Sequence, residues 1–327
     1  MRVIDTHFHW FPRAHLEMLC AEEGFPRAER DSDGYVYWFN EGRSSIDLPS
    51  VWLDLEGGLE ATERATGPDF SVINTTGVLA GLLDQLPLDR ASQVAVAFNE
   101  EVAQAQRIYP GKVYGTAAVP LGETNEGIRV LDYAVKELGM LGVNLPPVVG
   151  HEPIDVPRLE EFYDRVEELG IPLIVHPTDL VFGETLEGYD GAFQLTIGRL
   201  LDSSMTILRL IFSGILERHP SLKVVQTHGG ALLPYQAGRF DKNTEIDSLP
   251  RRPSEYLKRL VVDTVCPQAL TIRTALEFYG ADQVVYGTDY PCWAPSAAIA
   301  TLDEASIGPG IREAVLHSNA ERIFGIA

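Results

Sequence analysis

The stretch Val3-Ile4-Asp5-Thr6-His7-Phe8-His9, close to the start of the chain, decides how the rest is read. Val3 and Ile4 form the end of a buried strand, and the polar residues after them lie where that strand emerges. In extended backbone, side chains alternate between faces, so His7 and His9 point the same way. Two neutral imidazoles converging from one strand end make half of a metal site, because a borderline cation readily accepts imidazole nitrogen. Asp5 shares their face and is placed to hydrogen-bond a ring N–H and fix it. A His-x-His pair alone is more often a surface or packing pair. The metal reading therefore depends on what other segments bring to the same place.

From residue 70 onward, short apolar runs recur: Phe70–Asn74, Val113–Ala117, Leu141–Leu145, Pro172–His176, Leu222–Gln226, Leu260–Asp263 and Gln283–Gly287. They are rich in β-branched residues, the mark of strands buried on both faces. Between them lie amphipathic stretches at helical spacing, over 89–108, 126–138 and 157–169. With the first strand this makes eight strands alternating with helices, the pattern of a (β/α)8 barrel. An open doubly wound sheet fits less well, because no glycine-rich phosphate turn follows the first strand. Residues 1–327 are read as one barrel domain, with an insertion over about 13–60, a hairpin above the barrel mouth. Tyr35-Val36-Tyr37-Trp38-Phe39 is its predicted strand, and its aromatic stripe reads as a packing face.

Active sites in such barrels gather at the C-terminal ends of the strands. The first strand ends in His7 and His9, the fifth in His176, the sixth in Thr227-His228-Gly229-Gly230, and the eighth in Gly287-Thr288-Asp289-Tyr290-Pro291. Four histidines and an aspartate at one rim are hard to explain as packing residues. We assign His7, His9, His176 and Asp289 as ligands of a single divalent cation, zinc in the first place, with manganese or iron as alternatives. A remaining coordination position would hold water made more acidic by the cation. His228 is left as the acid/base, beside Asp289 in its second role. Gly229-Gly230 would let substrate approach the backbone. His15, His151, His219 and His317 fall in loops or helices and read as structural or surface residues. No lysine stands at a strand end to bridge two metals.

Hydrophobic residues make up 45% of the 327 and charged residues 22%, ordinary for a globular enzyme. A formal net charge of −21 argues against nucleic acid and anionic membrane as partners, and requires an anionic substrate to be met by arginine. Cys20, Cys266 and Cys292, odd in number and without a CxxC spacing, read as buried free thiols in a reducing compartment. With no apolar run of spanning length and no leader-like start, the expected location is the cytoplasm.

The chain resembles the amidohydrolase-related (amidohydrolase 2) family, the group typified by aminocarboxymuconate semialdehyde decarboxylase. The resemblance runs through His7-Phe8-His9-Trp10-Phe11-Pro12-Arg13, Ile174-Val175-His176-Pro177, Phe212–Arg218 and Thr227-His228-Gly229-Gly230. It continues through Gly238-Arg239-Phe240-Asp241, Pro253-Ser254-Glu255-Tyr256, Gly287–Pro291 and Asn319–Gly325. It implies a distorted barrel with one divalent metal on His7, His9, His176 and Asp289, and proton transfer through His228. It also implies non-oxidative decarboxylation of a small unsaturated or aromatic carboxylic acid, with hydrolysis of a lactone, amide or ester as the alternative and hydration as a third. Arg239 matches a family arginine that reaches the substrate from a neighbouring subunit, which implies a homodimer. Arg43 is the nearest candidate for a second substrate arginine. Specificity is expected in residues 14–110 and in loops such as 178–192, where the resemblance is weakest.

Overall fold

In the computed structural model, described for all residues except 41–42, 179–185, 187, 247–248 and 327, the chain runs through thirteen strands. The first, β1 (Val3–Phe8), is followed by three insertion strands, β2 (Arg27–Arg30), β3 (Gly34–Asn40) and β4 (Arg43–Pro49). Next come β5 (Phe70–Asn74), β6 (Val113–Gly115), β7 (Val143–Leu145), the small hairpin β8 (Val148–Val149) and β9 (Glu152–Pro153), and β10 (Leu173–Val175). The chain ends with β11 (Val224–Gln226), β12 (Val261–Asp263) and β13 (Val284–Val285).

Two parallel ladders, β1-β5-β6 and β7-β10-β11-β12-β13, together hold eight strands among the described residues. They meet at both seams. Ala117 bridges Val143 on one side, and on the other Phe8 bridges Tyr290 while Thr6 N–H donates to Tyr286 O. The result is the closed (β/α)8 barrel that the alternation predicts.

Predicted and observed helices coincide closely. Leu88–Ile108 buries Ala91, Val94, Ala95, Phe98 and Val102. The helix predicted over 126–138 instead spans Thr124–Lys136, because the Glu123 side chain accepts from Asn125 N and Glu126 N and caps it earlier.

Inside the barrel, Ile4, Ile73, Ile174, Val225, Val261 and Val285 pack together, floored by Ala320, Ile323 and Phe324 of the last helix. This inner face sets the site, since residues two apart on a strand share a face. Ile174 is followed by His176, Val261 by Asp263, and Val285 by Gly287 and then Asp289. In β1 the count differs. Between Asp5, paired with Val72, and Phe8, paired with Asn74, the register shifts. That extra residue turns His7 and His9 inward above Ile4, where an unbroken strand would present Thr6.

The insertion is more than a hairpin. β2, β3 and β4 form a three-stranded antiparallel sheet after the helix Arg13–Cys20. Tyr37, fully buried, donates or accepts a 2.6 Å hydrogen bond with His15 Nε2 and packs its ring against Phe11. The aromatic stripe is thus a packing face, as expected. Among the described residues no helix is long and apolar enough to cross a membrane.

Candidate metal centre

His7, His176, His228 and Asp289 each bring one ligating atom into a group whose members all lie within 4.8 Å of one another. His9 adjoins the same group: its Nε2 is 3.1 Å from His7 Nε2 and 3.0 Å from Asp289 Oδ1. All five sequence-assigned rim residues therefore meet at one point. His7, His9, His176 and Asp289 are buried, and His228 lies at the edge.

Close backbone approach makes this convergence feasible. A Cβ on Gly287 would fall 2.9 Å from His7 Cβ, so only glycine lets the eighth strand press against the first. Asp289 N–H then donates to His7 O at 2.7 Å. Both His228 (φ 59°) and Asp289 (φ 58°) adopt left-handed backbone, a strain of about 1 kcal/mol or more each that the surroundings hold in place.

Each imidazole is oriented from behind. His7 Nδ1 lies 2.7 Å from Asp263 Oδ2, and His176 Nδ1 lies 2.7 Å from Pro177 O. His9 Nδ1 lies 3.0 Å from Thr75 Oγ1, and His228 Nδ1 lies 3.0 Å from Thr227 Oγ1. A carboxylate or carbonyl can only accept, so Nδ1 of His7 and His176 carries a proton and Nε2 is the nitrogen turned to the centre.

Asp263 is the residue the sequence reading missed. It ends an apolar strand at the same rim, which was the available signal. Asp5, expected to hold the ring, instead accepts from Thr288 N (3.0 Å), Thr288 Oγ1 (2.6 Å) and His7 N (3.2 Å). It fixes backbone between the first and eighth strands rather than an imidazole.

The electrostatics favour a cation. Burial pushes the Asp289 carboxyl up, but charge on His7 and hydrogen bonds from His228, His7 and His9 carry it well below its ordinary value. Burial likewise opposes ionisation of Asp263, and the hydrogen bond from His7 overcomes it. Burial would lower His7, yet Asp289 and Asp263 raise it to about 10. Burial, reinforced by the neighbouring imidazoles, keeps His176 well below its ordinary value. Two buried carboxylates are thus held ionised with imidazoles as their ionic partners among the described residues, and a divalent cation would complete the charge balance. The donor set of imidazole nitrogen and carboxylate oxygen fits such an ion.

Above the centre opens a small cavity. Its remaining walls are Phe11, Trp52, Gly77, Val78, Arg199 and Cys292. Trp52 stacks on His9, with centroids 5.9 Å apart and planes at 26°, and its carbonyl accepts from Phe11 N at 2.8 Å.

Two expectations are corrected here. Cys292 is exposed and Cys20 and Cys266 are half-buried, so none is the fully buried thiol expected. Gly229 (φ 62°) and Gly230 (φ 79°) do not line the cavity; a Cβ on Gly230 would fall 2.4 Å from Tyr279 Oη, so they serve the turn and its packing. Arg199, unassigned from sequence, lines the cavity. Arg239 lies exposed on the helix Leu233–Asn243. Arg43 begins β4, but its side chain lies outside the described residues, as do 179–185 and 187 of the 178–192 loop.

Comparison with known proteins places this geometry among relatives. At 27% identity over 335 residues, the chain is similar to 2-amino-3-carboxymuconate-6-semialdehyde decarboxylase of Dictyostelium discoideum, covering 99% of this chain and 91% of the relative. It is also 27% identical to gamma-resorcylate decarboxylase of Rhodococcus jostii (strain RHA1), covering 94% and 98%. A solved dihydroxybenzoic acid decarboxylase from Polaromonas sp. JS666, with bound manganese and the inhibitor 2-nitroresorcinol, shares the fold at TM-score 0.80. It is 22% identical, over 99% of this chain and 97% of that one. The family model described as amidohydrolase matches residues 4–326, nearly the whole length, and the chain belongs to the amidohydrolase family.

Proposed function

We propose that this protein is a metal-dependent, non-oxidative decarboxylase of a small aromatic or unsaturated carboxylic acid. The observation that carries the reading is the convergence of four rim histidines and Asp289 beneath a small, aromatic-walled cavity, in a chain whose relatives include decarboxylases over their whole length.

His7, His9, His176 and Asp289 would hold one divalent cation, zinc by the preference of an imidazole-rich set, with manganese or iron as the other candidates. When bound, the cation supplies Lewis acidity to an oxygen of the substrate. The remaining steps fall to the chain. Trp52 and Phe11 would enclose a planar ring and exclude water. His228, with Nδ1 turned to Thr227, presents Nε2 to the cavity beside Asp289 Oδ2 at 3.5 Å. From Nε2 it would deliver a proton to the ring carbon bearing the carboxylate. The carbon–carbon bond then breaks, CO2 leaves, and the bonding pair restores the ring. His228 regains its proton from solvent, or from a new substrate.

Residues 1–327 act in this reading as one catalytic unit, with the 13–60 segment roofing the mouth. The partner is a small carboxylate rather than nucleic acid or membrane. A cytoplasmic homodimer would let Arg239 of one copy reach the other copy's substrate, with Arg43 as a further substrate contact. The test is a panel of hydroxybenzoates and unsaturated diacids offered to zinc- and manganese-loaded protein. Release of CO2 from a carboxylate is expected. Formation of a new acid from an ester, amide or lactone, with no carbon lost, would overturn the lyase reading in favour of hydrolysis.

A further inference from the structure

A carboxylate substrate would enter the cavity above the metal centre. Asp289 stands in the cavity wall, and the whole chain carries a formal net charge of −21. A substrate carboxylate entering there meets a negative surrounding unless a guanidinium or ammonium faces it. Among the residues described as lining the cavity, one carries such a group: Arg199.

The placement of Arg199 is unlike that of a surface arginine. It opens the helix Arg199–Phe212, whose buried face includes Ser203, Ile207, Leu210 and Ile211. Arg199 stands one turn before Ser203 and two turns before Ile207, on that same inward stripe. Ser203 Oγ donates to Arg199 O at 2.8 Å, closing that turn. Immediately before it, Gln194–Gly198 is a π-helical turn. Such a widened turn changes the angular phase of the helix and recurs at functional sites. A Cβ on Gly198 would fall 2.8 Å from Leu186 Cδ1 and 2.9 Å from Gln194 Oε1, so the approach to Arg199 is closely packed.

We propose that Arg199 binds the carboxylate of a small planar monocarboxylic acid within this chain's own cavity, and so determines substrate class. The assignment rests on the decarboxylase reading for the word substrate, and on the cavity alone for the binding of the anion. The guanidinium fork suits a carboxylate through two parallel N–H···O bonds, and Trp52 and Phe11 add aromatic walls to the same cavity. Arg239, exposed on its own helix, would act only from a second copy.

The experiment is calorimetric binding of benzoate, which lacks the hydroxyl groups of the proposed substrates, and of neutral, isosteric benzamide. Both are titrated into metal-loaded wild type, Arg199→Gln, Arg199→Lys and Arg239→Gln. Metal content and thermal unfolding are recorded alongside. In Arg199→Gln the benzoate dissociation constant should rise on the order of tenfold or more, with Arg199→Lys between it and wild type. Benzamide binding should be unchanged, and so should metal content. If Arg199→Gln fails to fold, the lysine variant reads the same difference. Wild-type benzoate affinity in the folded Arg199 variants, or a loss confined to Arg239→Gln, would overturn the proposal. A protein that releases no CO2 from any carboxylate, yet shows the benzoate-against-benzamide difference, would remove the decarboxylase reading and leave this one standing.

Discussion

His7 Nδ1 and Asp263 Oδ2, separated by 256 positions in the chain, lie 2.7 Å apart and fully buried at the barrel rim. The second oxygen of Asp263 accepts from Gly229 N at 2.8 Å and Val265 N at 3.0 Å, so the carboxylate cannot turn away. It therefore fixes which nitrogen of His7 faces the centre.

Replacing Asp263 by asparagine should weaken metal binding roughly 10–100-fold, the usual effect of losing a partner behind a ligating imidazole. A chelator-competition titration reads this directly. Unchanged affinity would mean that the His7 ring is oriented by something else.

His228→Asn separates proton transfer from metal binding. Turnover should drop by roughly 100-fold or more, the typical contribution of a positioned acid or base. Metal content should stay at the wild-type level. Wild-type turnover would remove His228 from the chemistry, and loss of the ion would instead make it a ligand.

Gly287→Ala would place a methyl 2.9 Å from His7 Cβ and 3.2 Å from Asp263 Cβ. Neither neighbour is a flexible side-chain end, so the strands must part. A destabilisation of about 1–3 kcal/mol is expected, with weakened metal retention. Chemical denaturation of the metal-free protein measures the first, and a stability equal to wild type would show that the rim yields easily.

Away from the site, burial raises the Asp84 carboxyl to about 7, although Gly122 N–H, Leu121 N–H and the charge of Arg158 pull the other way. The folded state thus holds a proton that the unfolded chain has released, and stability from this group falls as pH rises from about 4 to about 7. Asp84→Asn removes that dependence. The variant should gain up to roughly 4 kcal/mol on wild type between pH 4 and pH 8 in urea unfolding. Parallel pH profiles for the two proteins would contradict it.

Much of this was legible from residue order. Apolar runs separated by amphipathic helices gave the barrel, and the barrel told where to look for His7, His9, His176, His228 and Asp289. What could not be read was lateral placement. Asp263 and Asp5 are both acids near strand ends, and only the bulge in β1 decides which one faces a ring. Arg199 was hidden because its orientation depends on a π turn, which leaves no periodicity of its own in the sequence. The insertion's third strand likewise had no alternating apolar pattern, since Arg43–Pro49 buries little beyond Leu48 among its described side chains.

The central claim is that His7, His9, His176 and Asp289 hold one divalent ion. Elemental analysis of wild type, His7→Ala and His176→Ala, each dialysed against the same zinc and manganese buffers, tests it most directly. The account predicts one ion per chain in wild type and far less than one in each folded variant. Full occupancy in both variants, or none in wild type, would contradict it.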